Sequence, residues 1–461
     1  MLRTAAPLLL LLLLLTGGGT GCGLVYRAAH EATLAADRAG RPGRYGPLTA
    51  REEAWAKTAW RYVEANTQWG TGTVNANEGY AVVSMWDVAD VLAATVAARE
   101  LGVIDAKTFN DRLSGTLAFL NRMPLPHGLP NRRYDARTGQ PLQDDGTEGT
   151  AGWSAMHLGR LLVWLRLVRD RHPEYGEYAD RAVLRWDVCR VVGDDGTLYG
   201  GDAGGTPVQE GRLGMEEYAA RGFQAWGFST AAASSAAPLD TVLNDGQPLL
   251  VDARDGRVTG ERSTVTTLPL VLDGLEFDGQ AALGTGRFAV RTWAGARAHA
   301  RSVYEAQRRR YDRDRILTAR TDHLLAGPPY FAFDTVWGDG YPWNTVAPSG
   351  EPLPGAALVA TKAAFGLWAL YPDAYTDVLM DVVQHQYDDQ RGWLEGRHEQ
   401  GGGLHYAASL STNATVLEAL LYKRTGRLFR PSDAPSHYAR ALADPFRTAG
   451  RCFPPERPGA R

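Results

Sequence analysis

Apolar side chains recur at intervals of three and four residues over ten stretches of the chain, 52–67, 85–101, 108–122, 153–171, 175–192, 216–226, 287–310, 356–370, 374–387 and 413–424. That spacing predicts helices with a buried face. Weaker stretches of the same kind at 266–275 and 317–325 bring the expected number to twelve. Twelve helices make six helical hairpins, and the fold class that closes six hairpins around one core is mainly α, an (α/α)6 toroid. Two short runs break the helical pattern. One, 249–252, is expected to turn through Arg254-Asp255-Gly256, and the other, 330–337, through Gly338-Asp339-Gly340; both read as β-hairpin insertions in loops. No repeat period is visible, so a solenoid of copied units is not expected.

The pattern changes character at both ends. Arg3, an apolar run over 8–15 and a small-residue stretch over 17–21 read as an export signal spanning 1–22, since the run is shorter than the roughly 20 apolar residues that a membrane-spanning helix needs. Cys22 stands where a bacterial lipoprotein carries its acylated cysteine, although Gly19-Thr20-Gly21 lacks the large aliphatic residue usual three positions earlier. The expectation is an exported protein, either an envelope lipoprotein whose one membrane contact is that anchor, or a secreted protein with Cys22 discarded. Residues 23–44, rich in Ala, Arg and Gly, read as a linker, 45–430 as the folded domain, and 431–461 as a tail that is draped or disordered. Cys189 and Cys452 are the other two of three cysteines, and in an oxidising compartment they form either a disulfide or two unpaired thiols.

With 44% hydrophobic residues the chain has material for one large core, which is expected to stand as a monomer. The 49 basic and 52 acidic residues nearly cancel, which disfavours nucleic acid or an acidic membrane surface as partner. Trp and Tyr, at 13 and 19, outnumber the 12 Phe, so most rings also carry a polar group, as suits sugar stacking or a large core.

Gly, acid and aromatic residues cluster just ahead of alternate helices. Asn75 to Tyr80 leads into Ser84-Met85-Trp86-Asp87, Asp145-Gly146-Thr147-Glu148-Gly149 into Gly152-Trp153-Ser154, and Glu210 to Gly214 into Glu216-Glu217-Tyr218. Gly392-Trp393-Leu394-Glu395-Gly396 lies in a further loop, and Ser411-Thr412-Asn413 opens the last strong helix. If helices alternate outer and inner around a ring, every inner helix points the same way, and these loops share one mouth.

The order of these loops resembles the bacterial family of uncharacterised proteins called DUF3131, over roughly 60–426. The resemblance rests on Met85-Trp86-Asp87, Leu129-Pro130-Asn131, Gly152-Trp153-Ser154-Ala155 with Gly159-Arg160-Leu161-Leu162, Gly214-Met215-Glu216 with Tyr218-Ala219-Ala220, Gly392-Trp393, and Asn413-Ala414 with Leu417-Glu418. The chain departs from that pattern at Asp334, where Asn is expected, and at His398, where Tyr is usual. The family is similar to helical-toroid glycosidases of glucoamylase-like and β-glucan-cleaving groups, which implies carbohydrate as substrate.

Glycoside hydrolysis needs one carboxyl group held protonated and a second that activates water or attacks the sugar. Glu216 is the expected acid, because Tyr218 and Trp226 nearby would raise its pKa. Asp87 is the expected base or substrate clamp, and helix capping is its alternative role. Glu217 is expected on the solvated surface, with Glu148 and Glu399 as further acids of the mouth. Tyr80, Trp86, Trp153, Tyr218 and Trp393 are candidate sugar contacts, with the alternative that about half of such rings fill the core. Asn413 is a candidate partner of sugar hydroxyls, whereas Arg221, His127 and His157 read as structural. His-Glu-x-x-His, Cys-x-x-Cys, Gly-x-Ser-x-Gly and a phosphate loop are absent, so neither metal nor cofactor is expected. The expected function is a glycoside hydrolase acting on an extracellular or envelope polysaccharide. A polysaccharide lyase, with Tyr80 as base beside Asn75, and a glycan-binding scaffold are the alternatives.

Overall fold

Two kinds of helix alternate along the chain, and their sequences say which side of the molecule each occupies. α1 (Ala50–Asn66) is followed by α2 (Met85–Leu101), which is apolar nearly all round and buries 13 of its 17 residues. Such a helix belongs inside. α3 (Ala106–Arg122) instead buries one stripe, including Phe109, Leu113, Leu117 and Leu120, and leaves the rest polar. Outer and inner helices go on alternating through α4 (Ala155–Arg171), α5 (Gly176–Leu184) and α6 (Met215–Ala225); α7 (Leu268–Phe277) follows α6 as a second inner helix, and the alternation resumes with α8 (Ala296–Asp314), α9 (Thr361–Leu370), α10 (Ala374–Val383), α11 (Leu410–Thr425) and α12 (His437–Ala443). The structure, a computed structural model, describes residues 43–236, 238–254, 263–432 and 436–444, and within them twelve α-helices.

Six helices close on one another: α2 packs on α4, α4 on α6, α6 on α7, α7 on α9, α9 on α11, and α11 again on α2. This ring holds the main core, with α1, α3, α5, α8 and α10 outside it. It is the (α/α)6 toroid expected from the helix count. The helix expected at 266–275 is α7, an inner member of the ring. The stretch 317–325 is not helical: it is extended and ends in the strand His323–Leu324. α12, beyond residue 430, packs on α5 and sets Tyr438 edge-on against Trp226 at 4.8 Å between ring centres.

The connections differ sharply in length. Those leaving α2, α4 and α9 have three or four residues, whereas those entering the six inner helices are long and hold the short strands. The strand Gln247–Asp252 pairs backwards with Leu239–Asn244, so its turn lies at Asp245-Gly246 and not after Arg254. The turn at Asp339-Gly340 is as expected, joining Trp337–Gly338 to Tyr341–Pro342. A four-stranded antiparallel sheet centred on Gly392–His398, flanked by Leu358–Ala360, Tyr387–Asp388 and Leu404–Ala408, feeds both α9 and α11.

The inner helices approach closely where side chains vanish. A Cβ at Gly159 of α4 would lie 2.5 Å from Ala219 Cα of α6, and one at Gly222 would lie 1.9 Å from the Gly159 carbonyl oxygen. Backbone faces backbone there, and a methyl group has to push the helices apart. Gly159→Ala is expected to cost about 1–3 kcal/mol or more in urea unfolding, and unchanged stability would show that the crossing is looser than described.

Candidate active site

Because the inner helices run parallel, their N-terminal ends meet at one mouth, each presenting free N–H groups and the positive end of its dipole. Carboxylates answer that charge. Asp87 Oδ2 accepts from the Ser84 N–H (2.8 Å) and hydroxyl (2.6 Å) ahead of α2. Glu210 reaches across from the connection ahead of α6 to the Ala155 N–H (2.7 Å) and the Ser154 hydroxyl at α4. Glu217 accepts from the Gly214 N–H (2.6 Å) at α6, and Glu395 from the hydroxyls of Ser409 and Thr412 (2.7 Å) at α11. Much of the acid clustering seen in the sequence is therefore helix capping. Asp87 takes the capping role, and Glu217 is not on the surface but buried in its own cap. Burial pushes Glu217 up to about 8 and, together with the neighbouring Asp90, pushes Asp87 up to about 6.

Glu216 is different. It lies in the first turn of α6, 3% exposed, yet its carboxylate caps nothing among the described residues and meets Arg254 Nη1 at 2.7 Å. Asp252 holds that guanidinium from the other side, its oxygens 3.0 and 2.9 Å from Nε. Burial raises the Glu216 pKa, and Arg254 opposes the rise only in part.

Trp86 joins the acids of α2 and α6. Half-buried, it meets Tyr218 at 6.2 Å and His157 at 5.9 Å between ring centres, with the Arg160 guanidinium carbon 5.1 Å from its ring. The first turns of α2 and α6, which carry Asp87 and Glu216, are thus joined by one aromatic contact. Next to it lies a fully buried ionic network. Arg160 of α4 binds Asp90 of α2 (2.5 Å), Glu276 of α7 (3.0 Å) and Glu418 of α11 (2.7 Å), while Glu276 also accepts from Tyr218 Oη and Trp164 Nε1, each at 2.8 Å. One cation cannot offset three buried carboxylates, so burial raises all three and holds Glu418 well above the carboxylate range.

Several expected sugar contacts are structural. Trp153 is buried and donates to the Tyr199 carbonyl (3.0 Å), and Trp393 is buried and donates to the Trp55 carbonyl (3.1 Å). Asn413 is buried, accepting from the Trp393 N–H (2.8 Å) and donating to its carbonyl (3.0 Å). Glu399 binds Arg320 (2.6 Å) and Arg310 (3.0 Å). Tyr218 has its hydroxyl inside the Arg160 network. Arg221 pairs with Asp273 at 2.6 Å, as its structural reading expected. Tyr80 and Glu148 remain exposed, and a Cβ at Gly146 would lie 3.2 Å from the Tyr80 hydroxyl, so the loops carrying them touch. Asp334 is buried between Arg320 (3.2 Å) and Thr345 (2.7 Å), and burial pushes it up to about 7.

Asp90, Glu276, Lys362 and Glu395 were not singled out as functional residues from the sequence, nor were Arg160 and Glu418 beyond their motifs. Their signal was a lone charge inside an otherwise apolar helix, as in Gly159-Arg160-Leu161-Leu162 and Leu417-Glu418-Ala419. Cys189 is half of a disulfide. Its expected partner Cys452, like the export signal and Cys22, lies outside the described residues. Among the described residues no group of three or more His, Cys, Asp or Glu is placed to hold a metal ion.

The sequence profile of the family described as "Protein of unknown function (DUF3131)" matches residues 54–426, and the chain belongs to that family. No curated protein matches it in sequence. Among solved structures, the chain is similar to a putative glucoamylase of Bacteroides caccae, at 13% identity and a TM-score of 0.59 over 87% of this chain and 97% of that one. It is equally similar to the endo-β-1,2-glucanase of Chitinophaga pinensis, at 13% identity and a TM-score of 0.59 over the same shares. The endo-β-1,2-glucanase of Talaromyces funiculosus follows at 11% identity and a TM-score of 0.50, over 82% and 84%. At these identities the likeness establishes the toroid fold.

Two stability predictions follow from the buried charges. The Glu217 pKa is raised on folding from 4.5 to about 8, so the stability carried by its protonated form is full below about pH 4.5 and drains away as pH rises toward 8. Glu217→Gln, which keeps an acceptor for Gly214, should match wild type near pH 4.5 and unfold at a higher temperature near pH 9, and parallel pH curves would contradict this. Arg160→Met leaves three buried carboxylates without a cation and should cost about 3–5 kcal/mol at pH 7 in chemical denaturation. Part of that loss should return as pH is lowered, because protonation removes the uncompensated charge from carboxylates whose pKa values burial already raises.

Proposed function

We propose that the protein is a glycoside hydrolase-like enzyme that takes a polysaccharide chain across the mouth of the toroid, with Glu216 as proton donor and Asp87 as the opposing carboxylate. The observation that carries this reading is Glu216 itself, a desolvated carboxyl group at an inner-helix N-terminus that is not consumed by capping. Burial shifts its pKa upward, the direction that a proton donor needs. Asp87 titrates near 6, so it is largely ionised at neutral pH, and its Oδ1 accepts no hydrogen bond among the described residues. Trp86 in the first turn of α2, and Tyr80 on the loop ahead of it, offer ring faces to a pyranose. The solved toroids named as a glucoamylase and as β-1,2-glucanases support a glucan as the class of substrate. The export signal read in the sequence makes the substrate an extracellular or envelope polymer.

One observation favours a glycan-binding scaffold instead: the Arg254 guanidinium lies 2.7 Å from Glu216 and favours its ionised form. Catalysis requires that contact to open when sugar binds. Reducing-end release from β-1,2-glucan, starch and other neutral glucans separates the two readings. Under the enzyme reading wild type releases ends, Glu216→Gln loses about 100-fold or more in kcat, and activity falls as pH rises through the raised pKa of Glu216. Binding without release by wild type, unaltered in Glu216→Gln, would establish the scaffold.

A further inference from the structure

Two tyrosines project from braced backbone at the rim of the mouth. Tyr80, on the loop entering α2, is 48% exposed, and Tyr406, on the strand Leu404–Ala408 entering α11, is 65% exposed. α2 and α11 are neighbours in the ring, and the connections ahead of them meet in an antiparallel pairing of Asn77 with Ser409. The Leu410 N–H donates to the Ala76 carbonyl (2.9 Å), and the Glu78 N–H to the Ala408 carbonyl (3.3 Å). Each tyrosine therefore lies two residues from the contact between Glu78 and Ala408. The Tyr80 N–H closes its own loop onto the Asn77 carbonyl at 3.2 Å. A side-chain clamp covers the same junction. Arg391 Nε donates to both oxygens of Glu78 (2.8 and 2.7 Å), and its Nη2 reaches Glu78 again and donates to the carbonyl of Tyr406 itself (2.8 Å).

We propose that Tyr80 and Tyr406 form an outer subsite for a neutral glycan, stacking on sugar rings that extend beyond the mouth, so that the protein takes long chains in preference to short ones. A ring on a free loop would have to order that loop when it binds. Here the cross-loop hydrogen bonds and the Arg391 clamp have already fixed the backbone, and only the two side chains remain to be ordered. Both rings are amphipathic, with an apolar face for a pyranose and a hydroxyl that stays in water. The guanidinium at the junction is matched by Glu78, so the rim offers no free charge there to a uronate or a phosphate. The strand Val82–Ser84 leads from Tyr80 to the first turn of α2, and the six residues from Tyr80 to Trp86 span at most about 22 Å. One glycan chain is long enough to lie on all three rings. The subsite rests on the glycan reading above and adds to it the charge class and the length of the chain that is bound.

The test is titration calorimetry of the full chain carrying Glu216→Gln, so that no glycan is cut, with the trisaccharide and the hexasaccharide of the β-1,2-, β-1,4- and α-1,4-glucan series. The hexasaccharide of one series should bind at least about tenfold more tightly than its trisaccharide. Adding Tyr406→Ala should lower hexasaccharide affinity about tenfold and leave trisaccharide affinity unchanged, whereas Tyr406→Phe, which keeps the ring, should hold the parent value. Tyr80→Ala should act in the same direction. Both side chains are exposed, so the unfolding temperature should not move. Hexasaccharide affinity unaltered by Tyr406→Ala, an equal loss for both lengths, or no binding of any hexasaccharide would overturn the subsite, and the last result would leave the rim to a partner that is not a glycan. Reducing-end release by wild type with hexasaccharide affinity indifferent to Tyr406 would keep the glycosidase reading and remove the subsite. Binding that depends on Tyr406 without any release would do the reverse.

Discussion

Six parallel helices closed in a ring bring six positive helix ends to one mouth, and most of the polar chemistry of this protein answers that arrangement. A single helix terminus binds a carboxylate at modest gain on an exposed surface. Gathered at one mouth and partly desolvated, the termini demand counter-charge. Asp87 and Glu217 supply it from the first turns of their own helices, Glu395 from the strand ahead of α11, and Glu210 from the connection ahead of α6, which it ties across to the start of α4. The same field makes the mouth hospitable to any electron-rich group, including the oxygens of a sugar. Glu216 stands out against this background because its carboxylate has no capping duty and meets a guanidinium from a β-ribbon.

Within the ring, the Arg160 network links α4 to α2, α7 and α11 in one buried set of ion pairs. Burying four ionisable groups is expensive, and an apolar core of equal volume would often be as stable. What the network supplies is geometry. Arg160 can reach three carboxylates on three helices only if the helices keep one rotation and one height, and Tyr218 and Trp164 add directional bonds to the same carboxylate. The Gly159 and Gly222 crossing fixes the approach of α4 and α6 in the same region, so packing and electrostatics constrain one another there. Trp86, packed on the guanidinium of Arg160, passes that order to its ring contacts with Tyr218 and His157 at the starts of α6 and α4.

By itself the sequence determined eleven of the twelve described helices and the ring they close, because helical periodicity, caps such as Ser84 and Asp105, and the length of each apolar run are local properties; it also predicted a helix over 317–325, which is extended, and a draped or disordered tail where α12 lies. It also determined that the acid-rich loops share a mouth, since alternating helices must run in alternate directions. What only the tertiary structure decided is which acids are free. Whether Trp153 stacks on sugar or fills the core, whether Glu217 meets water or the Gly214 N–H, and whether Arg160 finds Asp90, Glu276 and Glu418 all depend on partners far along the chain, separated by 70 to 258 residues in the Arg160 case. Desolvation and pairing set the protonation of these groups, and both are properties of the closed ring, so residues identical in the sequence, such as adjacent Glu216 and Glu217, take opposite roles once it forms.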